Sequence, residues 1–418
     1  MEWPLVMRQA FDLSCQSGGR DLRILIADKL SEAAVDALKS MNLEVECRPD
    51  CSADALPGVI QGCNVLIVRS TKVTAAAIEA ADQLSLIVRA GAGVNTIDVA
   101  QASAQGIYVA NCPGMNSDAV AELTLGLLIS CDRNIHQATI SLRSGQWQKK
   151  EFGKAPGLKG RVLGILGLGA IGRSVARRAR ALEMDVVAWS RSLTPEKAQQ
   201  WGVKFASTPL EVARQCDAVT LHLAAGDDNR HMVNAEFLDA LPDGAILINT
   251  SRGSLVDSQA LHTAIGQKGL RVGLDVFENE PASGDTAFSD TELASLVCCT
   301  PHIGASTQQA STAIAAEVVR VVSNFCRDGR PPHAVNLCQR TQATHALVVR
   351  HFNRVGVLAQ VLDLLREEGL NVEEMVNTIF DGASAACCTL QLDAAPSQAL
   401  VARLAAIDTI LQVQVQDR

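Results

Sequence analysis

VLGILGLGAIGRS, residues 162–174, decides the fold. A five-residue apolar run stops abruptly at Gly167-Leu168-Gly169-Ala170-Ile171-Gly172, and the helix-like SVARRARALE follows. A short run of this kind reads as a strand covered on both faces, and the glycines after it as a strand-to-helix turn. Each glycine has its own task. Gly167 makes the tight turn, Gly169 lets backbone N–H groups approach a pyrophosphate, and Gly172 lets the helix rest on the sheet. Ala170 and Ile171 open the helix, whose N-terminal N–H groups carry partial positive charge. The stretch therefore predicts a dinucleotide site.

The strand after this turn is DVVAW, residues 185–189. Such strands usually end in Asp or Glu about 20 residues beyond the glycines, where the acid binds the ribose hydroxyls and repels a 2′-phosphate. Here the chain continues Ser190-Arg191. Serine keeps a hydrogen bond without the repulsion, and Arg191 can pair with a phosphate or stack on adenine. NAD and NADP both remain open as the cofactor.

Further strands are expected at 161–166, 218–223, 245–251, 271–276 and 296–301, which with 185–189 describe a six-stranded parallel Rossmann domain. Upstream, strands at 21–28, 63–70 and 84–91 alternate with helices, so a second parallel sheet is expected there. One long apolar-periodic helix, 119–145, is expected to bridge the two α/β units. From residue 343 the order βαββαβ predicts a ferredoxin-like module. GRPPHAVNLCQRTQ precedes it, and its prolines mark a linker over 331–342.

Composition narrows the function classes. The 418-residue chain is long enough for two or three domains, and its net charge of −8 argues against a broad nucleic-acid surface. The 13 cysteines lie mostly in apolar runs and form no CxxC pair, so neither a metal site nor a disulfide framework is expected. No apolar run approaches the roughly 20 residues of a membrane span. Residues 1–20 read as an N-terminal extension lacking the basic region of a secretory signal, and a cytoplasmic location is expected.

Three loops then carry chemistry. NTSRGSLVD (249–257), DVFENEP (275–281) and TPHIGAST (300–307) each follow a strand of the Rossmann series. Arg252, Glu280 and His302 thus fall beyond the carboxyl ends of strands, where open α/β sheets bind ligands. Arg252 can hold a carboxylate and polarise an adjacent carbonyl, His302 can exchange a proton with that oxygen, and Glu280 can orient the imidazole. The reaction indicated is oxidation of a 2-hydroxy acid, or its reverse. A catalytically dead dinucleotide sensor, the reading from another class, fits poorly with all three residues present.

These four motifs together resemble the D-specific 2-hydroxyacid dehydrogenase family, over roughly residues 21–330. The resemblance implies Arg252, Glu280 and His302 as the catalytic trio, with Asp275 a partner of the nicotinamide. Thr250, Ser190 and Arg191 complete the expected cofactor contacts. It implies a discontinuous, flavodoxin-like substrate domain from 21–120 and 302–330, and a nucleotide domain over 121–301. LHLAAGDD (221–228) departs from the family's usual His-x-Pro, at the adenine side of the cofactor.

LIVRSTKVT, VRAGAGVNTID and NCPGMNSDAVAELTLGLL resemble the family members that oxidise 3-phosphoglycerate. Such a substrate needs sites for a phosphate and a carboxylate. Arg69, Ser70, Lys72 and Arg89 suit the first. Backbone N–H groups of Ala92, Gly93 and Val94 suit the second, with Asn95 and Asn111 beside them. HFNRVGVLAQVLDLLREEGLN (351–371) resembles an ACT regulatory domain over 343–418, although Val355 stands where that pattern usually has proline. In serine-inhibited relatives the effector contacts imply His351, Asn353 and Asn371 here, and a homotetramer. The alternative is an NADPH-dependent glyoxylate or hydroxypyruvate reductase carrying an appended ACT module.

Overall fold

Short apolar runs become the strands of two parallel sheets in a computed structural model that describes residues 22–281, 287–338 and 341–417. The expected N-terminal extension lies outside the described residues. The first sheet comprises β1 (Arg23–Ile26), β2 (Glu44–Cys47), β3 (Val65–Val68), β4 (Leu86–Arg89) and β5 (Tyr108–Ala110), in the order β2-β1-β3-β4-β5. That is the flavodoxin-like order. The second comprises β6 (Val162–Leu166), β7 (Asp185–Trp189), β8 (Lys204–Phe205), β9 (Ala218–Leu221), β10 (Ile246–Asn249), β11 (Arg271–Leu274) and β12 (Cys298–Cys299). Its order, β12-β11-β10-β9-β6-β7-β8, is the Rossmann order with one added edge strand.

Three strands were not anticipated, and each has a physical reason. β2 and β8 lie at sheet edges and remain largely exposed, while β5 has only three residues. β2 and β8 lack the apolar run that marks a strand covered on both faces, and β5 lies in one of only four residues, 107–110. The expected helix over 119–145 is in fact two. α1 (Ser117–Arg133) ends at Asn134, whose φ of 50° starts a separate helix over Ile135–Arg143. Asparagine tolerates this left-handed conformation better than most residues, so the break falls there.

α1 is the spine of this unit. It packs on β10, β11 and α2 (Ala170–Ala181), the helix that opens at the glycine turn. Asp118 on α1 accepts a hydrogen bond from Ser174 at 2.7 Å and pairs with Arg178 at 3.0 Å on α2. Beyond residue 302 the chain returns to the first sheet through α3 (Gln308–Asp328). Ile314, Ala315, Val318 and Val322 of that helix join Ile24, Ile67 and Val88 in one apolar core.

The segment expected as a linker is only partly free. The first compact unit runs to Asn336, not to Arg330. Val335 donates to the Val109 carbonyl at 2.8 Å, and the Asn111 N–H donates to His333 O at 3.3 Å. Asn336 accepts from the Val109 N–H at 2.9 Å and donates to Ile107 O at 2.8 Å and Ser103 Oγ at 3.2 Å. β5 is an edge strand with unpaired backbone groups, and this segment covers it.

The second unit starts at Leu337. β13 (His345–Phe352), β14 (Val372–Ile379), β15 (Ala385–Leu392) and β16 (Ile410–Asp417) form an antiparallel sheet in the order β14-β15-β13-β16. α4 (Val357–Glu367) and α5 (Gln398–Ala405) cover one face through Val361, Leu365, Leu400 and Leu404. The connectivity is ferredoxin-like. Among the described residues no helix is long and apolar enough to cross a membrane.

Asn336→Ala leaves the Val109 N–H and Ile107 carbonyl without their partner. We expect a loss of about 1–3 kcal/mol from the first unit, read as a lower calorimetric melting temperature with the second unit's transition unmoved.

Candidate active site

The glycine turn meets its geometric demands. Gly167 has φ +100°, and a Cβ there would collide with the His222 carbonyl. A Cβ on Gly172 would collide with Gly167 O, so both positions are closed to side chains by the backbone. Gly169 is different: a Cβ there meets nothing within 4 Å. α2 begins after it with no side chain capping its N–H groups. An exposed, uncapped helix N-terminus behind an open glycine fits a pyrophosphate. At the adenosine end, Ser190 follows β7 half-buried, and Arg191 pairs with Asp228 at 3.5 Å. Asp228 belongs to the loop after β9, so Arg191 already has an anionic neighbour. His222, at the start of that loop, is half-buried, and desolvation pushes its pKa down to about 3.

The catalytic loops converge beyond the ends of β10, β11 and β12. His302 Nδ1 lies 2.7 Å from Glu280 Oε2, and Glu280 Oε1 accepts the Phe277 N–H at 3.1 Å. A carboxylate can only accept, so Nδ1 carries the proton and the neutral imidazole offers Nε2 as a base. Burial alone would raise the Glu280 carboxyl. The hydrogen bond from His302, the Phe277 N–H and the Arg252 guanidinium together hold it below its ordinary value. Gly253 sits against the Phe277–Glu278 backbone, which locks the Arg252 loop to the Glu280 loop.

Asn249 was missed from the sequence. Its side chain donates to Arg252 O at 2.8 Å and accepts from Ser251 N and Oγ at 3.1 and 2.9 Å, shaping the arginine's loop. Thr250 Oγ1 lies 2.8 Å from Thr124 Oγ1 of α1. Asp275 is buried, and both its oxygens face the turn that carries His302. Thr300 Oγ1 at 2.6 Å, Ile303 N at 2.8 Å and Gly304 N at 2.8 Å all donate to it.

The first sheet brings its own set to the same cleft. The Arg252 guanidinium lies against Gly93, in the space a Cβ would fill, and the Arg89 guanidinium lies over Gly91 in the same way. Burial, then the charges of Arg252 and Arg69, press the pKa of Arg89 down, and Arg89 Nε has no hydrogen-bond partner among the described residues. Arginine stays protonated regardless, so the cluster gathers positive charge that Glu280 beside Arg252 and Asp28 near Arg89 offset only in part. Asn111 Nδ2 donates to Ala92 O at 2.6 Å, which fixes the loop containing Gly93. Asn95, Ser70 and Lys72 are exposed nearby in sequence. Asp28, at the end of β1, was also missed. One of its oxygens accepts from Arg69, Ser70 and Thr71 N–H at 2.7, 3.0 and 3.0 Å, and so builds the Arg69 loop.

In the second unit His351 is buried and bonded to Phe352 O and Asn377 Oδ1, while Asn353 donates to Ala383 O. Asn371 donates to Glu373 and precedes Val372, which pairs with Leu392. Phe352 pairs with Ala385, at the other end of the same strand. One chain therefore holds Asn371 roughly 24 Å from His351 and Asn353, not beside them.

Comparison with known proteins identifies the family. Residues 125–304 match the model of the D-isomer specific 2-hydroxyacid dehydrogenase NAD binding domain. A hydroxypyruvate reductase from Thermotoga maritima is 37% identical over 309 residues, covering 72% of this chain and 97% of that protein. The chain belongs to the D-isomer specific 2-hydroxyacid dehydrogenase family. A D-3-phosphoglycerate dehydrogenase from Methanocaldococcus jannaschii is 38% identical over 320 residues, covering 76% of this chain and 60% of that protein. The chain thus spans about three-fifths of the phosphoglycerate dehydrogenases first among its relatives. The crystal structure of an NADPH-dependent glyoxylate/hydroxypyruvate reductase from Sinorhizobium meliloti, with NADP and malonate, matches with TM-score 0.66 and 28% identity. It covers 76% of this chain and 97% of that one. The matched model is that of an NAD binding domain.

The Glu280 carboxylate titrates below its unfolded value, so its contribution to stability is present above roughly pH 4.3 and fades as pH falls through the lower folded value. We expect the melting-temperature gap between wild type and Glu280→Gln to be widest near neutrality and to close on acidification, measured calorimetrically from pH 7 to pH 3.

Proposed function

We propose that the protein oxidises 3-phospho-D-glycerate to 3-phosphohydroxypyruvate with NAD or NADP. The observation that carries this reading is the cluster of Arg69, Arg89 and Arg252, in which the charges of Arg252 and Arg69 press on the buried Arg89 and an anionic ligand would relieve them. A substrate with two anionic ends neutralises it better than one with a single carboxylate. Arg252, with the Ala92-Gly93-Val94 backbone, holds the carboxylate and polarises the C2 oxygen. Arg69, Arg89 and Ser70 take the phosphate. His302 Nε2 removes the C2 hydroxyl proton, and Glu280 stabilises the resulting imidazolium. The nicotinamide, when bound, accepts the hydride from C2.

Unphosphorylated hydroxypyruvate or glyoxylate is the second reading, favoured by the relative whose length the chain covers almost completely. A spectrophotometric comparison of 3-phosphohydroxypyruvate, hydroxypyruvate and glyoxylate with NADH and NADPH separates the two. The phosphorylated acid should give the highest kcat/KM, and Arg89→Ala should lower that value by at least about tenfold while sparing hydroxypyruvate. Faster turnover of an unphosphorylated acid overturns the first reading. For the cofactor, Ser190→Asp should disfavour NADPH, whereas Asp228→Ala, which frees Arg191, should favour it. Steady-state KM values for both cofactors check this.

The second unit reads as an ACT regulatory domain in a cytoplasmic homotetramer. Its ferredoxin-like order supports this, as does the separation of Asn371 from His351 and Asn353, which a second copy would bridge. L-serine at millimolar concentration should lower turnover and raise the second unit's melting temperature. No effect on either overturns the assignment.

A further inference from the structure

β12 is only Cys298-Cys299, and successive strand residues face opposite sides of a sheet. Cys299 Sγ points toward Ala294 O at 3.9 Å, away from α1. Cys298 faces α1, where its sulfur lies 3.3 Å from Ser130 Oγ, the residue next to Cys131. A glycine permits this approach. Cys298 is the register partner of Gly273, and Cys131 Sγ lies 3.3 Å from the position a Gly273 Cβ would occupy. Leu127 Cβ is 3.1 Å from that same position, so any side chain there would push α1 off the sheet.

The two thiols are unlike. Cys298 is half-buried, and the hydrogen bond from Cys131, with Ser130 and the charge of His136, pushes its pKa down to about 6 against the effect of burial. Cys131 is buried and is pushed up by the bond it donates to Cys298 and by desolvation. An accessible sulfur beside a buried one is the arrangement of an attacking and a resolving cysteine. The location also matters. β12 leads directly into the turn bearing His302, and Val120 and Leu123 of α1 pack on Gly304 of that turn.

We propose that Cys298 and Cys131 form a peroxide-sensitive dithiol whose oxidation cross-links α1 to β12 and slows turnover. The Cys298 thiolate attacks one peroxide oxygen, the O–O bond breaks, and the departing alkoxide or hydroxide takes up a proton. Cys298 is left as a sulfenic acid. The Cys131 sulfur then attacks it, the S–O bond breaks, and the oxygen leaves as water. Two thiols are oxidised by two electrons, and one hydroperoxide is reduced to an alcohol (or water) plus water.

The test uses reduced full-length protein, one equivalent of hydrogen peroxide, alkylation of remaining thiols and mass spectrometry of a non-reducing digest. The expected product joins the Cys131 and Cys298 peptides, disappears with dithiothreitol, and accompanies a several-fold reversible loss of turnover. In Cys131→Ala, Cys298 should stop at a sulfenic acid trapped by dimedone. Cys298→Ser should keep its basal activity and resist peroxide. Cys298 recovered alkylated while exposed Cys47 is oxidised overturns the site, as does dimedone-trapped Cys298 with no disulfide in the unmodified sequence. A disulfide that leaves turnover unchanged overturns the regulatory claim.

Discussion

One buried carboxylate organises the catalytic centre. Asp275 lies at the end of β11, withdrawn from solvent, and a charge there persists only if donors surround it. Thr300, Ile303 and Gly304 supply those donors, all from the turn after β12. That turn is consequently wound tightly around Asp275, and His302 within it adopts φ 51°, a conformation uncommon for a non-glycine residue. Its imidazole meets Glu280, while Gly304 closes on α1. The proton-transfer geometry, the interface with the spine helix and the return of the chain into α3 all follow from satisfying one charge.

A second constraint is electrostatic. The protein carries a net charge of −8, yet its cleft gathers Arg69, Arg89 and Arg252. Arg69 and Arg89 come from the first sheet and Arg252 from the second, so the positive field exists only where the two sheets meet. Asp28 opposes that field at Arg89, and Asn249 is uncharged. They shape the loops that create it, by collecting backbone N–H groups or bonding a backbone carbonyl.

Much of this was legible in the sequence because it follows from local rules. The glycine turn, the apolar runs and the loops after them are local patterns, and each became a strand, a turn or a strand-end loop as expected. What failed to show was nonlocal. β2, β5 and β8 are strands because a neighbour pairs with them, not because of their own residues. The helix break at Asn134 depends on one backbone conformation. Residues 333–336 look like linker, but they cover an open sheet edge.

The loop DVFENEP shows the division most clearly. Sequence alone determined that acids follow β11 and that a histidine follows β12, because strand ends in an open parallel sheet point their loops into one crevice. It named Glu280 as the partner of His302 and left unseen where the neighbouring acid goes. In the folded chain Glu280 takes His302, whereas Glu278, two residues earlier, pairs with His231 at 2.6 Å and with Arg230. Both glutamates have the same chemistry. Only the packing of Gly253 on the Phe277–Glu278 backbone, and the turn drawn around Asp275, aim one toward the cleft and the other away. Residue type and spacing supplied the reacting groups and the expected Glu280–His302 pair, whereas the pairing of Glu278 with His231 was decided by distances that exist only after two loops, far apart in the chain, have been brought together.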